Sequence, residues 1–386
     1  MRQQGNCSFR SCVGILKVMA IVLGLELKIP CHNSIQNWEK KLGYYRLHKK
    51  EEGSGSWMII IGESISIGRE KLLLILGVKL DEYSFEEALC FSDMHVLDMA
   101  ISKSWKGVEI AERIAGLEVD YKIAYAASDG GTNIVKALNI RNINRVSDCT
   151  HAFGNLLKKQ YNTCEHFKAF SKQCGVFKRQ IQLSKFAEYA PPKQRSKGRF
   201  LNLHSLSKWA FKVLSLLDSK KEMHPEIIQK LAWIEAYRGL IIEIYEQCQT
   251  MNELCAVLKK KGLNEKSIKQ CQQILKQHKC THIFQQGVEQ YLGINKVLIK
   301  KLPSLICNSD IIESYFGKYK NISSKNGKSL ITDGCLCIAN FQQNFSEQQI
   351  KQAMEQIKIV DLNKWKADNC SNSILKKRKH LFKNTG

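Results

Sequence analysis

Apolar residues near the start of the chain recur at helical spacing. Val13, Leu16, Val18, Ile21, Val22 and Leu25 predict a helix with a broad apolar face. After Pro30 a second helix is expected over Ser34–Leu42, with Ile35, Trp38 and Leu42 inward and Gly43 as its stop. Asn33, Gln36, Asn37, Lys40 and Lys41 then face outward, which suits a helix-turn-helix; a generic helical hairpin fits this pattern equally well. The charged, then Gly/Ser-rich stretch 48–56 reads as a linker. From Trp57 the period changes. Trp57–Ile61 and Leu72–Leu80 are continuous apolar runs separated by Gly68, the pattern of a strand hairpin, and a third strand is expected around Val96–Ile101. Gly107–Leu117 is an amphipathic helix and Tyr121–Ala127 a strand that ends at Ser128-Asp129-Gly130-Gly131. Thr132–Leu138 is a short helix and Asn144–Asp148 a fifth strand.

The order β-β-β-α-β-α-β is that of a ribonuclease H-like core, three antiparallel strands followed by two parallel ones. The expected fold class is therefore α/β: a ribonuclease H-like mixed sheet with a large all-α insertion, preceded by a small helical segment. In residue terms this gives a helix-turn-helix segment at 1–47, a linker at 48–56 and the first part of the core at 57–152. A basic helical insertion at 153–303, completion of the core at 304–345 and a basic C-terminal helix and tail at 346–386 follow.

Composition narrows the partner. The 386 residues suit two or three domains, and 44% hydrophobic residues are enough for a sizeable core. Lys and Arg number 59 against 36 Asp and Glu, a formal net charge of +23 that points to a polyanionic partner such as nucleic acid or an anionic membrane surface. The excess is concentrated: residues 151–300 carry 26 Lys/Arg against 11 Asp/Glu. Within that segment Lys193, Arg195, Lys197 and Arg199 form a basic turn, and Lys376, Lys377, Arg378, Lys379 and Lys383 make a basic tail. The 15 scattered cysteines point to reduced thiols in a cytosolic protein. Val18–Leu25 is far too short for a membrane span and poorly flanked for a signal peptide. A soluble protein that meets nucleic acid is expected, without a membrane partner.

Three acidic positions stand out. Asp129 lies where a strand ends in a Gly-Gly turn, a place that exposes a carboxylate at the sheet edge. Glu313 shares one side of a helix with Asp310, Gly317 and Lys320, while Ile311, Ile312, Tyr315, Phe316 and Tyr319 form the apolar side. Asp148 and His151 make an Asp-x-x-His at the end of the fifth strand. Any one of these alone reads as a solvated group or a helix cap. Together, the blocks Ser128–Gly131, Asp148–His151 and Ser309–Lys320 resemble those of bacterial insertion-sequence transposases of the DDE type. Trp57–Val78 resembles that family's first two strands, and Ile29–Gly43 its helix-turn-helix; the likeness runs from about Cys7 to about Phe341, with the Glu313 block its most specific part.

This resemblance implies a transposase: metal-dependent cleavage and strand transfer at the ends of an insertion sequence. Carboxylates would hold two divalent cations, Mg²⁺ or Mn²⁺, roughly 3.5–4 Å apart. Asp129 and Glu313 are the implied metal ligands, with Asp148 and His151 in support. Phosphate and base contacts would come from Asn33, Gln36, Asn37 and Lys40, from Lys193, Arg195, Lys197 and Arg199, and from Lys318 and Lys320. The partner is double-stranded DNA at transposon ends and target, held by a homodimer on paired ends, in the nucleoid of the cytoplasm. One position departs. The family's first catalytic aspartate matches Gly62, which has no oxygen to offer, and the adjacent Glu63 should point to the other face of the strand. Impaired catalysis is expected, or a catalytically inactive DNA-binding regulator derived from a transposase. The short stretch ahead of the helix-turn-helix also suggests a truncated start.

Other clusters read as structural. Cys271, His278, Cys280 and His282 lack a paired zinc-ligand spacing, so buried thiols and surface imidazoles are expected. Trp209 and Trp233 suit core packing better than base stacking. No phosphate-loop motif follows Gly130-Gly131.

Overall fold

The computed structural model describes residues 5–50, 55–63, 70–194, 200–219, 223–323, 330–342, 345–372, 377–378 and 381–382. Arg195, Lys197, Arg199, Gly68, Lys376, Lys379 and Lys383 lie outside the described residues. The chain divides into two compact units, one of Met1–Ser84, Leu89–Arg145 and Ser309–Gly386, the other of Phe85–Ala88 and Val146–Asn308.

The first unit is mixed α/β. Its strands are β1 (Ser56–Glu63), β2 (Lys71–Lys79), β3 (His95–Ser102), β4 (Lys122–Ser128) and β5 (Arg145–Ser147, within which the unit boundary falls). They form one sheet in the order β3-β2-β1-β4-β5. β1 pairs antiparallel with β2 and β2 antiparallel with β3, whereas β1 and β4 run parallel. Trp57 to Ile61 of β1 and Leu72 to Leu76 of β2 are all buried. Both faces of the sheet are covered, which is why these strands are written as unbroken apolar runs rather than as an alternation.

On one face Trp57, Ile59, Ile61, Leu73 and Ile75 pack with helices α3 (Gly107–Glu118) and α4 (Thr132–Ile140) through Ile110, Ile114, Ile134 and Leu138. Met58, Ile60 and Gly62 alternate to the opposite face. There the chain adds α2 (His32–His48), a late helix at Asp310–Ile322 and a 3-10 segment at Asp333–Asn340. Two further helices, Glu347–Gln356 and Ile359–Asn369, replace the single C-terminal helix expected from sequence.

The N-terminal segment departs most from expectation. Helix α1 (Phe9–Val22) is capped by Ser8, whose side chain accepts from Ser11 N–H, and its one buried residue is Cys12. Its apolar face is largely uncovered: Val18, Ile21, Val22 and Leu25 are exposed. Helix α2 runs five residues past Gly43, which is buried within it. A Cβ on Gly43 would lie 2.0 Å from the carbonyl oxygen of Leu336 and 2.7 Å from its carbon. This glycine allows two backbones to touch instead of ending a helix. Trp38, expected inward, is 46% exposed, because the close approach at Gly43 turns a different side of α2 toward the 333–340 segment.

The second unit is helical: α5 (Cys149–Tyr161), α6 (Glu165–Ile181), α7 (Leu203–Asp218), α8 (Pro225–Leu231), α9 (Arg238–Lys261), α10 (Glu265–Gln277), α11 (His282–Ile294) and α12 (Lys296–Ile299). Phe167, Phe170, Cys174, Phe177 and Ile181 bury one stripe of α6 at helical spacing. A polar network sits inside: Gln247 donates to the Tyr161 hydroxyl, which donates to Glu243 at 2.6 Å, and Thr281 donates to Gln247 at 3.2 Å. Burial and the Glu243 carboxylate push the Tyr161 hydroxyl far above its ordinary pKa, so it remains a donor. Trp233 packs among Phe170, Phe177 and Tyr237, and Trp209 donates to the Tyr189 carbonyl at 3.1 Å; both serve the helical core.

Gly43→Ala tests the backbone contact. Alanine is preferred to glycine inside a helix by about 1 kcal/mol, so a stabilised variant would deny the close approach. We expect net destabilisation of ~1–3 kcal/mol from overpacking, read as a lower urea midpoint.

Candidate functional site

The parallel pairing of β1 with β4 sets the geometry. Met58 lies opposite Tyr125, Ile59 opposite Ala126 and Ile60 opposite Ala127. Two residues further along the same register, Gly62 is level with Asp129. Ile59 and Ala126 share the core beneath α3 and α4, so alternation assigns Gly62 and position 129 to the other face. Asp129 is the first residue after β4 and is exposed. Its Oδ1 accepts the Gly131 N–H at 2.9 Å across a turn in which Gly130 adopts φ +86°. α4 starts at Thr132, so this carboxylate also lies beside a helix N-terminus, where negative charge is favoured.

Glu313 is carried by α13 (Asp310–Ile322). The predicted faces are observed: Ile311, Ile312, Tyr315, Phe316 and Tyr319 are buried, while Asp310, Glu313 and Gly317 are exposed. The apolar side of α13 meets β1. The atoms nearest to the Cβ position of Gly62 all belong to Ile312, at 2.8 Å for Cδ1, 3.2 Å for Cγ2 and 3.3 Å for Cγ1. The structure thus brings Asp129, Gly62 and the first turn of the Glu313 helix to one end of the sheet. In the sequence Ile312 is legible only as one residue of the apolar side of this helix; nothing there marks it as the neighbour of Gly62.

Gly62 contributes no oxygen, and Glu63 does not replace it. Glu63 follows Gly62 on the opposite side of the strand, where its carboxylate pairs with Lys71 at 2.9 Å. Among the described residues no three His, Cys, Asp or Glu side chains are grouped so as to hold a metal ion. Two carboxylates without the bridging third do not fit a pair of divalent cations, so no chemical step is assigned to such a pair.

Asp148 and His151 do something else. Asp148 is fully buried and is the N-cap of α5, its Oδ1 accepting the His151 N–H at 2.9 Å. The Asp-x-x-His spacing is that of a cap bonded to the third helical N–H. Both residues belong to the helical unit, whereas Asp129 and Glu313 belong to the first.

The expected DNA contacts divide. Asn33 is exposed, and Gln36 and Asn37 are half-buried on α2. Lys40 is withdrawn: its ammonium pairs with Asp333 at 2.7 Å, with both side chains mostly buried, so the outward position expected for it is wrong. Asp333 was invisible as a partner because it lies 293 residues away. Lys41 is turned inward as well, donating to the Met354 carbonyl at 3.1 Å. Lys318 is also drawn aside, its ammonium 4.6 Å from the Phe341 ring centre and 5.1 Å from that of Phe91. Desolvation there lowers its pKa from the ordinary lysine value. Lys193 is exposed and Lys320 half-buried in the last turn of α13. In the Cys/His cluster, Cys271 is buried, Cys280 donates to Thr250 at 3.4 Å, His278 pairs with Glu253 at 3.1 Å and His282 opens α11.

Asp148→Ala should destabilise the chain by about 0.5–2 kcal/mol through loss of the cap. Asp148→Ser, which keeps a capping oxygen, should recover part of that loss in thermal melts; equal losses in both variants would refute the capping role. A scan of protein-family models and a search of curated proteins each find no match to this chain.

Proposed function

We propose that this chain is a DNA-binding protein built on the plan of an insertion-sequence transposase, with metal-dependent cleavage and strand transfer impaired at Gly62. The observation that carries this reading is the meeting of three elements at one sheet end: Asp129 after β4, Gly62 level with it on β1, and the helix of Glu313 lying against Gly62. The strand order β3-β2-β1-β4-β5, antiparallel from β3 to β1 and parallel from β1 to β4, supports a ribonuclease H-like core. A separate helical unit lies in the chain between β5 and α13, as an insertion domain would.

Charge supports the DNA partner. The excess of Lys and Arg is concentrated at 151–300, and burial of the apolar stripes of that unit leaves the lysines to its surface. Lys158, Lys172, Lys193, Lys208 and Lys266 are exposed examples. Phosphate contacts of this kind release counterions, so affinity falls steeply with salt. No helix among the described residues is long and apolar enough to cross a membrane, and the nucleoid is the compartment this reading calls for. A pair of chains on paired ends is part of the same proposal.

Two measurements test it. Fluorescence anisotropy with duplex DNA should give an affinity that drops at least tenfold between 50 and 200 mM salt, along a straight log–log line. Absence of binding at 50 mM salt and micromolar protein would remove the DNA partner. In a nicking and strand-transfer assay with Mg²⁺ or Mn²⁺ the unmodified chain should stay at background, and robust turnover would remove the impairment.

A further inference from the structure

A glycine on a central strand leaves a gap unless a neighbour fills it. At Gly62 the filling is complete, since the Ile312 side chain supplies all three of the atoms nearest to where a Cβ would stand. Ile312 is itself 5% exposed and shares the buried side of α13 with Ile311, Tyr315 and Phe316. A β-branched side chain in a helix has one strongly preferred χ1, so Cγ1 and Cγ2 cannot both swing aside. The far end, Cδ1, is the atom with most freedom, yet it is also the one that comes closest, at 2.8 Å. An added carboxylate would therefore be pressed into an apolar side chain, and an ionised group without a partner is costly to bury.

From this we propose that Gly62 and Ile312 are a matched pair that locks the sheet end in a cation-free form. The isoleucine occupies the space a carboxylate at position 62 would need, so restoring the acid alone does not restore a binding site for a divalent cation. Cation binding requires a carboxylate at position 62 and a smaller residue at 312 together. The inference rests on reading Asp129 and Glu313 as carboxylates that converge on this sheet end, and its test separates the two.

The probe is Mn²⁺, titrated by electron paramagnetic resonance into the full chain and into Gly62→Asp, Gly62→Asp/Ile312→Val and Gly62→Asp/Ile312→Ala. The valine change deletes Cδ1 alone; the alanine change deletes all three crowding atoms. The unmodified chain and Gly62→Asp should bind weakly and alike, the valine variant more tightly, and the alanine variant at least tenfold more tightly than Gly62→Asp. Equal binding by Gly62→Asp and the alanine double variant, both tighter than the unmodified chain, overturns the lock while leaving the convergence of the acids intact.

Thermal melts of the same set, with Ile312→Val and Ile312→Ala alone, read the pairing without metal. Gly62→Asp should melt lower than the unmodified chain, and each reduction at position 312 should relieve part of that loss. Additive shifts, with no coupling between the positions, overturn the matched pair. If the positions are coupled but no folded variant gains Mn²⁺ affinity, the cation requirement proposed here is overturned and the convergence of Asp129 and Glu313 falls with it, while the packing pair stands.

Discussion

β1 has neighbours on every side, and that confinement governs the first unit. It is bonded to an antiparallel strand on one edge and a parallel strand on the other, with apolar side chains covered above and below. Because side chains alternate, a slip of one residue would exchange the two faces, putting Glu63 against α13 and Gly62 into the layer under α3 and α4. The buried pattern on both faces fixes the register. The position of Gly62 opposite Asp129 follows from that register and not from any local preference of either residue.

The second unit is governed by a different constraint. Its helices bury one stripe each and close over a small hydrogen-bonded group around Tyr161, Gln247 and Glu243. A buried group of this kind holds only if each member is satisfied, and here hydroxyl, amide and carboxylate are joined in sequence. With the apolar stripes committed inward, the lysines have nowhere to go but outward. The basic character of the unit is thus a by-product of its packing as well as of its composition.

Much of this architecture was legible in the sequence. The apolar runs of β1 and β2, the stripe of α3 and the two faces of α13 were read from local periodicity, and local periodicity is what a strand or helix needs to bury one side. Asp129 was legible for the same reason, because a strand ending in Gly-Gly announces a turn. What failed was non-local or ambiguous in type. Gly43 reads as a helix stop, since a glycine that ends a helix and a glycine that admits a neighbouring backbone are written alike. Lys40 reads as solvent-facing because the carboxylate that neutralises it is hundreds of residues distant. Asp148 alone reads as a solvated group or a cap, and the structure makes it the cap; Ile312 reads as one more residue of an apolar stripe, with nothing to mark Gly62 as its neighbour.

The contact between Gly43 and Leu336 also bears on how the molecule is made. During synthesis α2 and the sheet emerge long before the segment that covers them, and the whole helical unit is produced in between. Until residues near 340 leave the ribosome, the nascent sheet has one finished side and one bare side, an invitation to chaperones and to aggregation. Closure over so large a separation in sequence makes for slow, high-contact-order folding. The helical unit, continuous but for the four residues at 85–88, is free of that delay and is suited to fold first, holding the two halves of its neighbour on one chain while they wait to meet.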